Sequence, residues 1–158
     1  MQLSDLNLIL SRLRNSEKNI TEFDESWSQG RSAFGGIAAA FAVTAMQKLL
    51  TSNQPIRSLM VSFIAPVPPG EIYVDSNIQR QGKNVTQTQA NVICEDVLCL
   101  QAMAAFGNSR EALHVPATKN FNATPKEVGS KFEDHAKRVP GFLRFFEGAW
   151  VDGGFPFA

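Results

Sequence analysis

Cysteine is scarce in this chain. Two residues, Cys94 and Cys99, are the whole supply in 158, too few for a disulfide scaffold. They flank an expected hairpin turn, Glu95-Asp96-Val97-Leu98, and are read as two thiols in a reducing compartment, where disulfides are rare. Long apolar runs are also lacking. None reaches the roughly 20 residues that a membrane span needs. The first residues carry no basic start, apolar middle and small-residue cleavage site of a secretory signal, so a cytoplasmic address and no membrane partner are expected. Charge of either sign is not in excess: fifteen basic and fifteen acidic side chains balance. A nucleic-acid partner is therefore not expected, since such proteins carry surplus positive charge to meet phosphates.

Several kinds of site chemistry are missing too. His114 and His135 stand alone, with no cysteine or histidine at metal-ligand spacing, so no metal is expected. There is no glycine-rich dinucleotide fingerprint and no phosphate loop ending in Lys-Ser or Lys-Thr, and no cofactor is expected. Gly30-Arg31-Ser32-Ala33-Phe34 falls short of a serine-hydrolase nucleophile elbow, because phenylalanine stands where the final glycine belongs.

What is present is core. Apolar residues make up 44% of the chain, which is enough for one domain of ordinary size. Leu3, Leu6, Leu10 and Leu13 recur at helical spacing behind Ser4 and Asp5, predicting a short amphipathic helix over residues 3–15. Residues 20–27 read as a strand. Residues 33–50 are nearly all apolar or small, and their alanine density favours helix over strand. Polar side chains occur only at Thr44, Gln47, Lys48 and Thr51, a narrow stripe. A helix that is apolar on nearly every side must be buried on nearly every side, so it needs a sheet around it.

The following sequence supplies strands. Residues 56–65 read as one, stopped by Pro66, Pro68 and Pro69. Residues 71–80 alternate, with Ile72, Val74 and Ile78 on one face. Residues 84–94 alternate again, with Thr86, Thr88, Ala90 and Val92 together, and residues 99–106 carry Leu100, Ala102, Ala104 and Phe106. Short turns join them, so the sheet is expected to be antiparallel. One early buried helix followed by antiparallel strands makes an α+β fold. Past Gly107 the chain turns proline-rich and charged, with a weak helical pattern near residues 124–138. It becomes aromatic again at Phe142, Phe145, Phe146 and Trp150. The expected layout is a domain over residues 1–107, a linker over 108–141, and the opening of a second domain over 142–158.

Phe34-Gly35-Gly36 stands immediately before the buried helix. Glycines there either let a substrate approach the backbone or permit a tight strand-to-helix turn. The first amides of a helix lack internal partners and sit at the positive end of its dipole, so they can hold the oxygen of a thioester carbonyl.

Gln29-Gly30-Arg31-Ser32-Ala33-Phe34-Gly35-Gly36-Ile37-Ala38-Ala39-Ala40, with Trp27 ahead of it, resembles the start of the central helix in the acyl-CoA thioesterase II-like superfamily. Residues 57–70, with Phe63, Pro66 and Gly70, resemble that family's second strand and its ending. Arg80-Gln81-Gly82-Lys83 is similar to the turn that follows, with Lys83 replacing the usual arginine. Ala104-Ala105-Phe106-Gly107 resembles the close of the last strand. The likeness implies a hotdog fold, an antiparallel sheet wrapped around one long buried helix. It implies an acyl-CoA ligand, and Phe34, Gly35 and Gly36 as candidates for holding the acyl carbonyl.

It also implies a second hotdog beginning near Phe142, whose opening strand Phe142-Leu143-Arg144-Phe145-Phe146-Glu147 resembles. The family's catalytic residues are expected in that second half, so the chain reads as an N-terminal half that by itself is inactive. In agreement, no Asp or Glu occurs between Glu25 and Glu71, so the helix carries no acid to act on a thioester. A lone hotdog exposes a sheet edge, and a homodimer through that edge is expected. Arg57, Arg80 and Lys83 are candidates for the phosphates of coenzyme A, or else solvated surface cations. The alternative to an acyl-CoA thioesterase is a non-catalytic acyl-binding or structural hotdog. A hotdog dehydratase would need a histidine near the helix, and both histidines lie beyond Gly107.

Overall fold

The computed structural model describes residues 5–109, 111, 116, 129–135 and 137–151, in two units divided at Ser109/Arg110. The first unit begins with α1 (Leu6–Asn15), capped by Asp5, whose carboxylate accepts from the amides of Asn7 and Leu8 at 2.8 and 3.2 Å. Capping satisfies amides that have no partner within the helix. Its buried residues are Ile9 and Leu13. The chain then forms β1 (Ile20–Phe23), a 3-10 turn at Glu25–Trp27, the two-residue strands β2 (Ser28–Gln29) and β3 (Ser32–Ala33), and the central helix α2 (Gly35–Lys48). Four longer strands follow: β4 (Ile56–Phe63), β5 (Gly70–Gln81), β6 (Val85–Cys94) and β7 (Val97–Gly107).

The expected strand over residues 20–27 therefore stops at Phe23. Asp24 accepts from the amide of Ser26 at 2.9 Å and caps a helical turn in place of further extension. That turn buries Trp27.

The main sheet has the order β1-β5-β6-β7-β4, and every pairing is antiparallel. With α2 packed against β5, β6 and β7, this is a hotdog: one helix laid in a curved antiparallel sheet. Even-numbered residues of β6, from Thr86 to Cys94, are buried, as are Leu100, Ala102, Ala104 and Phe106 of β7 and Ile72 and Val74 of β5. From the helix come Ile37, Ala38, Phe41, Ala42, Ala45 and Met46. Each large side chain buried here contributes about 1.5–3 kcal/mol. The Phe41 ring lies against Phe23, with centroids 5.7 Å apart.

Thr44 was expected on an exposed stripe, but it is buried. It follows Ile37 and Phe41 at intervals of seven and three, so it shares their core-facing arc. Of the remaining polar residues in that set, Gln47 and Thr51 are exposed and Lys48 is half-buried.

Helix α2 meets β4 at its start, where Gly35 lies against Phe63, and leaves much of that strand's inner face uncovered. Although Leu59, Val61 and Phe63 stand opposite the buried Ala104, Ala102 and Leu100, and so face the helix side, Leu59 is 42% exposed and Phe63 62%. β4 is an edge strand with open apolar side chains on both faces, Met60 on the other face being 63% exposed.

The second unit's described residues pair β8 (Ser130–Lys131) with β9 (Ala149–Trp150) and include 3-10 turns at Phe132–His135 and Gly141–Phe145. The segment expected as an opening strand at Phe142–Glu147 is thus mostly a 3-10 turn, with Phe142 buried and packed edge-on to Phe146. Most of the weak helical pattern near residues 124–138 lies outside the described residues or in β8 and its turn.

Lys48 ties the two helices together. Its ammonium donates to the carbonyls of Leu13 and Ser16 and to the side-chain oxygen of Asn19. It therefore places positive charge on the carbonyl end of α1, where the helix dipole favours it. Charge-assisted bonds contribute about 1.5–3 kcal/mol. Lys48→Met is expected to lower unfolding stability by about 2–3 kcal/mol in a denaturant titration; a change below about 0.5 kcal/mol would contradict this role.

Candidate functional site

The start of α2 is built by three segments. Gly30, at φ +64°, makes the turn between β2 and β3, a backbone conformation that glycine adopts without penalty. Next, the Phe34 amide donates to the Trp27 carbonyl at 2.8 Å, and the Ala33 amide to the Val67 carbonyl at 2.7 Å. The Val67 amide in turn donates to Ser32 Oγ at 3.0 Å. Ser32 is therefore a clasp between β3 and the segment after β4, with its oxygen occupied, in keeping with the incomplete nucleophile elbow.

This clasp brings the end of β4 to the first turn of α2. The helix has no side-chain cap. Its carbonyl-side neighbour Phe34 accepts from the amides of Ile37 and Ala38, while the amides of Gly35 and Gly36 have no partner among the described residues. Two aromatic rings stand over these glycines. A Cβ on Gly36 would come within 2.4 Å of Phe34 Cε1, and one on Gly35 within 3.2 Å of Phe63 Cζ. The glycines make room for rings as well as leaving amides open.

Phe34, Gly35 and Gly36 thus form one local group, and the structure adds Phe63 to it. Sequence reasoning placed Phe63 in a strand before a proline-rich stop but did not connect it to the helix. Its period-two relation to Leu59 and Val61 was the available signal, since it puts all three on the helix side.

The basic candidates lie elsewhere. In register, Gln81, Thr86, Phe106 and Ile56 form one row across β5, β6, β7 and β4. Arg57 and Arg80 are therefore at the same end of the sheet but three strand spacings, about 14 Å, apart. Arg80 stands opposite the exposed Gln87, on the face turned away from α2. Six residue steps along β4 separate Arg57 from Phe63, which is about 20 Å of strand. Arg57 is already engaged, donating from Nε to the Gly107 carbonyl at 2.9 Å and from Nη2 to Ser109 Oγ at 3.1 Å. Arg80 and Lys83 are exposed. The structure does not gather these three around Gly35 and Gly36.

Other features are remote from the helix start. A depression of about 420 Å³ lined by Gln47, Leu50, Thr51, Ser52, Asn53 and Gln54 sits beyond the opposite end of α2. His135 Nε2 lies 2.6 Å from Ser130 Oγ within the second unit, and His114 lies outside the described residues. Among the described residues no group of three or more His, Cys, Asp or Glu side chains could hold a metal ion. No described helix is long and apolar enough to cross a membrane.

With this geometry in hand, the comparisons are specific. Among solved structures, a hot dog fold protein of unknown function from Alicyclobacillus acidocaldarius superposes with a TM-score of 0.75 at 17% identity, over 85% of this chain and 50% of its own. A putative thioesterase II from Thermobifida fusca gives 0.59 at 20% identity, over 71% of this chain and 42% of its own. A Bacillus halodurans protein solved with CoA gives 0.53 at 17% identity, over 59% and 71%. These likenesses establish the hotdog fold. The chain spans about half the length of the first two structures. Among curated proteins, none matches it. The family described as the acyl-CoA thioesterase N-terminal domain matches residues 23–107, more than half of the chain, and the chain belongs to that family.

The remaining nucleophile candidates are the two thiols. Cys94 and Cys99 are both free and buried. The Cys94 thiol is pushed up from about 9.0 to about 12, first by burial, then by the neighbouring Cys99 and by Glu95. Thiolate, not thiol, is the reactive form. Because the folded-state value is raised, the folded protein keeps a proton that the unfolded chain loses. The corresponding stability is fully present below about pH 9 and is lost as pH rises toward about 12. In the native protein Cys94 is expected to resist iodoacetamide at pH 8, and Cys94→Ala to show a shallower stability loss between pH 9 and 12 than the parent. Rapid native alkylation at pH 8 would contradict this environment.

Proposed function

We propose that the chain is the acyl-binding hotdog half of an acyl-CoA thioesterase. In this reading it holds the thioester carbonyl on the amides of Gly35 and Gly36, beneath Phe34 and Phe63, and depends on another hotdog domain for its catalytic acid. The observation that carries the reading is a fourteen-residue helix whose first two amides are open and which bears no carboxylate. Membership in the acyl-CoA thioesterase N-terminal domain family supports acyl-CoA as the substrate class.

The chemistry divides accordingly. Hydrolysis of a thioester requires an oxygen nucleophile to attack the carbonyl carbon, an alkoxide to form, and the C–S bond to break with departure of the CoA thiolate. Oriented amides stabilise the alkoxide as the attack creates it, and one such donor contributes about 2.7–4 kcal/mol. They provide no base and no nucleophile. A carboxylate normally does that, and the long interval from Glu25 to Glu71 contains none.

A homodimer through β4 belongs to the same reading. The strand's outer edge is unpaired within the described sheet, and its apolar side chains are open. Such an edge seeks another strand, and two-fold pairing satisfies both copies. We place the hotdog at residues 1–107, a linker at 108–141 and the start of a further hotdog at 142–158. Arg57, Arg80 and Lys83 are candidates to meet CoA phosphates in a site shared with another domain.

Calorimetry and a thiol-release assay on the 158-residue chain test the proposal together. The expected outcome is saturable binding of butyryl-CoA with turnover far below the roughly 10 per second typical of enzymes. Ordinary turnover would refute the division of labour; absence of binding would refute the assignment of the site.

A further inference from the structure

Phe63 is exposed and yet stands against the start of the helix. It ends β4 on the face that looks toward the helix, opposite the buried Leu100, yet its side chain is 62% exposed. Its ring tip stands against Gly35, where even a Cβ would be 3.2 Å from Cζ. Behind it on the same face come Val61 and then Leu59, which is 42% exposed. This open apolar surface extends for about 13 Å along the strand. The ring therefore stands between the open amides of the helix start and the apolar face of the edge strand.

We propose that Phe63 is the residue that limits acyl chain length. With the carbonyl held at Gly35 and Gly36, the nearest apolar surface for the acyl tail is the inner face of β4, and the Phe63 ring blocks the way onto it. Short acyl groups fit ahead of the ring. Longer ones must displace an aromatic side chain fixed between the strand end and Gly35. Removing the ring joins the helix start to Val61 and Leu59 in one continuous apolar surface, and each methylene laid on it gains affinity. Phe34 does not share this role, because its ring lies over Gly36 and precedes the helix. The inference rests on the acyl-binding reading above and adds to it a selectivity and the side chain responsible.

The test is a calorimetric panel of acetyl-, butyryl-, octanoyl- and decanoyl-CoA on the full chain, on Phe63→Ala and Phe63→Leu, and on Met60→Ala. Met60 is just as exposed but lies on the opposite face of β4. The parent and Met60→Ala are expected to favour butyryl- over decanoyl-CoA. Phe63→Ala is expected to improve decanoyl-CoA relative to butyryl-CoA by about tenfold or more, and Phe63→Leu to shift the ratio the same way by less. If Phe63→Ala does not fold, the leucine variant alone decides. An unchanged ratio in a folded Phe63 variant overturns the inference while leaving the acyl-binding site standing. If neither the parent nor any variant binds any member of the panel, the underlying reading fails and takes the inference with it.

Discussion

The structure depends on the burial of one helix that has almost no polar surface. Between Gly35 and Lys48 the only side chains able to face water with profit are Gln47 and Lys48, and Lys48 spends its charge on the end of α1. Such a helix cannot lie on a surface; it must be enclosed. Strands β5, β6 and β7 enclose it, presenting alternate residues to it while their other faces carry polar side chains together with the exposed Tyr73, Val85 and Met103. Fourteen residues of helix cover about 20 Å of sheet lengthwise, but one helix is too narrow to cover five strands. The sheet's last member on one side, β4, is left largely outside its shadow.

That geometric shortfall underlies both features of the proposed function. Because much of β4 is uncovered, its inner side chains stay open, and Phe63 can reach the helix start instead of sinking into the core. Because its edge is unpaired, the same strand is the natural place for another hotdog to add to the sheet. In the proposed function, site and interface both follow from this one mismatch in width. The acid-free helix has a related meaning in the proposed function. Amides at Gly35 and Gly36 can receive negative charge but cannot initiate an attack, so a complete reaction calls for a group from elsewhere.

Much of this was legible in the sequence, for identifiable reasons. The alternation in β5 and β6 and the alanine density of α2 encode periodicity directly, and each element appears within a few residues of its expected place. Phe34-Gly35-Gly36 stood out because a glycine pair opens an apolar helix whose first amides have no helical partner; its role belongs to the proposed function. Properties set by three-dimensional neighbours were not legible. Thr44 looks like surface by composition, but its angular position on α2 puts it with Ile37 and Phe41. The segment after Phe23 bends into a 3-10 turn because Asp24 offers the backbone a local acceptor. Phe142–Glu147 has strand-like aromatics, but its described residues coil into a 3-10 turn. Arg57, Arg80 and Lys83 seemed a set because all are basic and lie near strand ends; register separates Arg57 from Arg80 across the sheet and engages Arg57 with Gly107. Phe63 was hidden because its contact with Gly35 is made through a clasp, Ser32 to Val67, between segments 35 positions apart.

The central claim is that β4 marks an unfinished edge that a second copy completes. Sedimentation velocity of the purified chain at tens of micromolar addresses it directly, since the mass follows from the chain's 17.3 kDa. The account predicts a species of twice that mass, with Val61→Pro on β4 shifting it toward the single chain by removing an edge donor. The Val61 amide is out of phase with the Ile64 amide that donates to Cys99, and so points away from β7. A parent protein that sediments as a single chain throughout that concentration range would contradict the account.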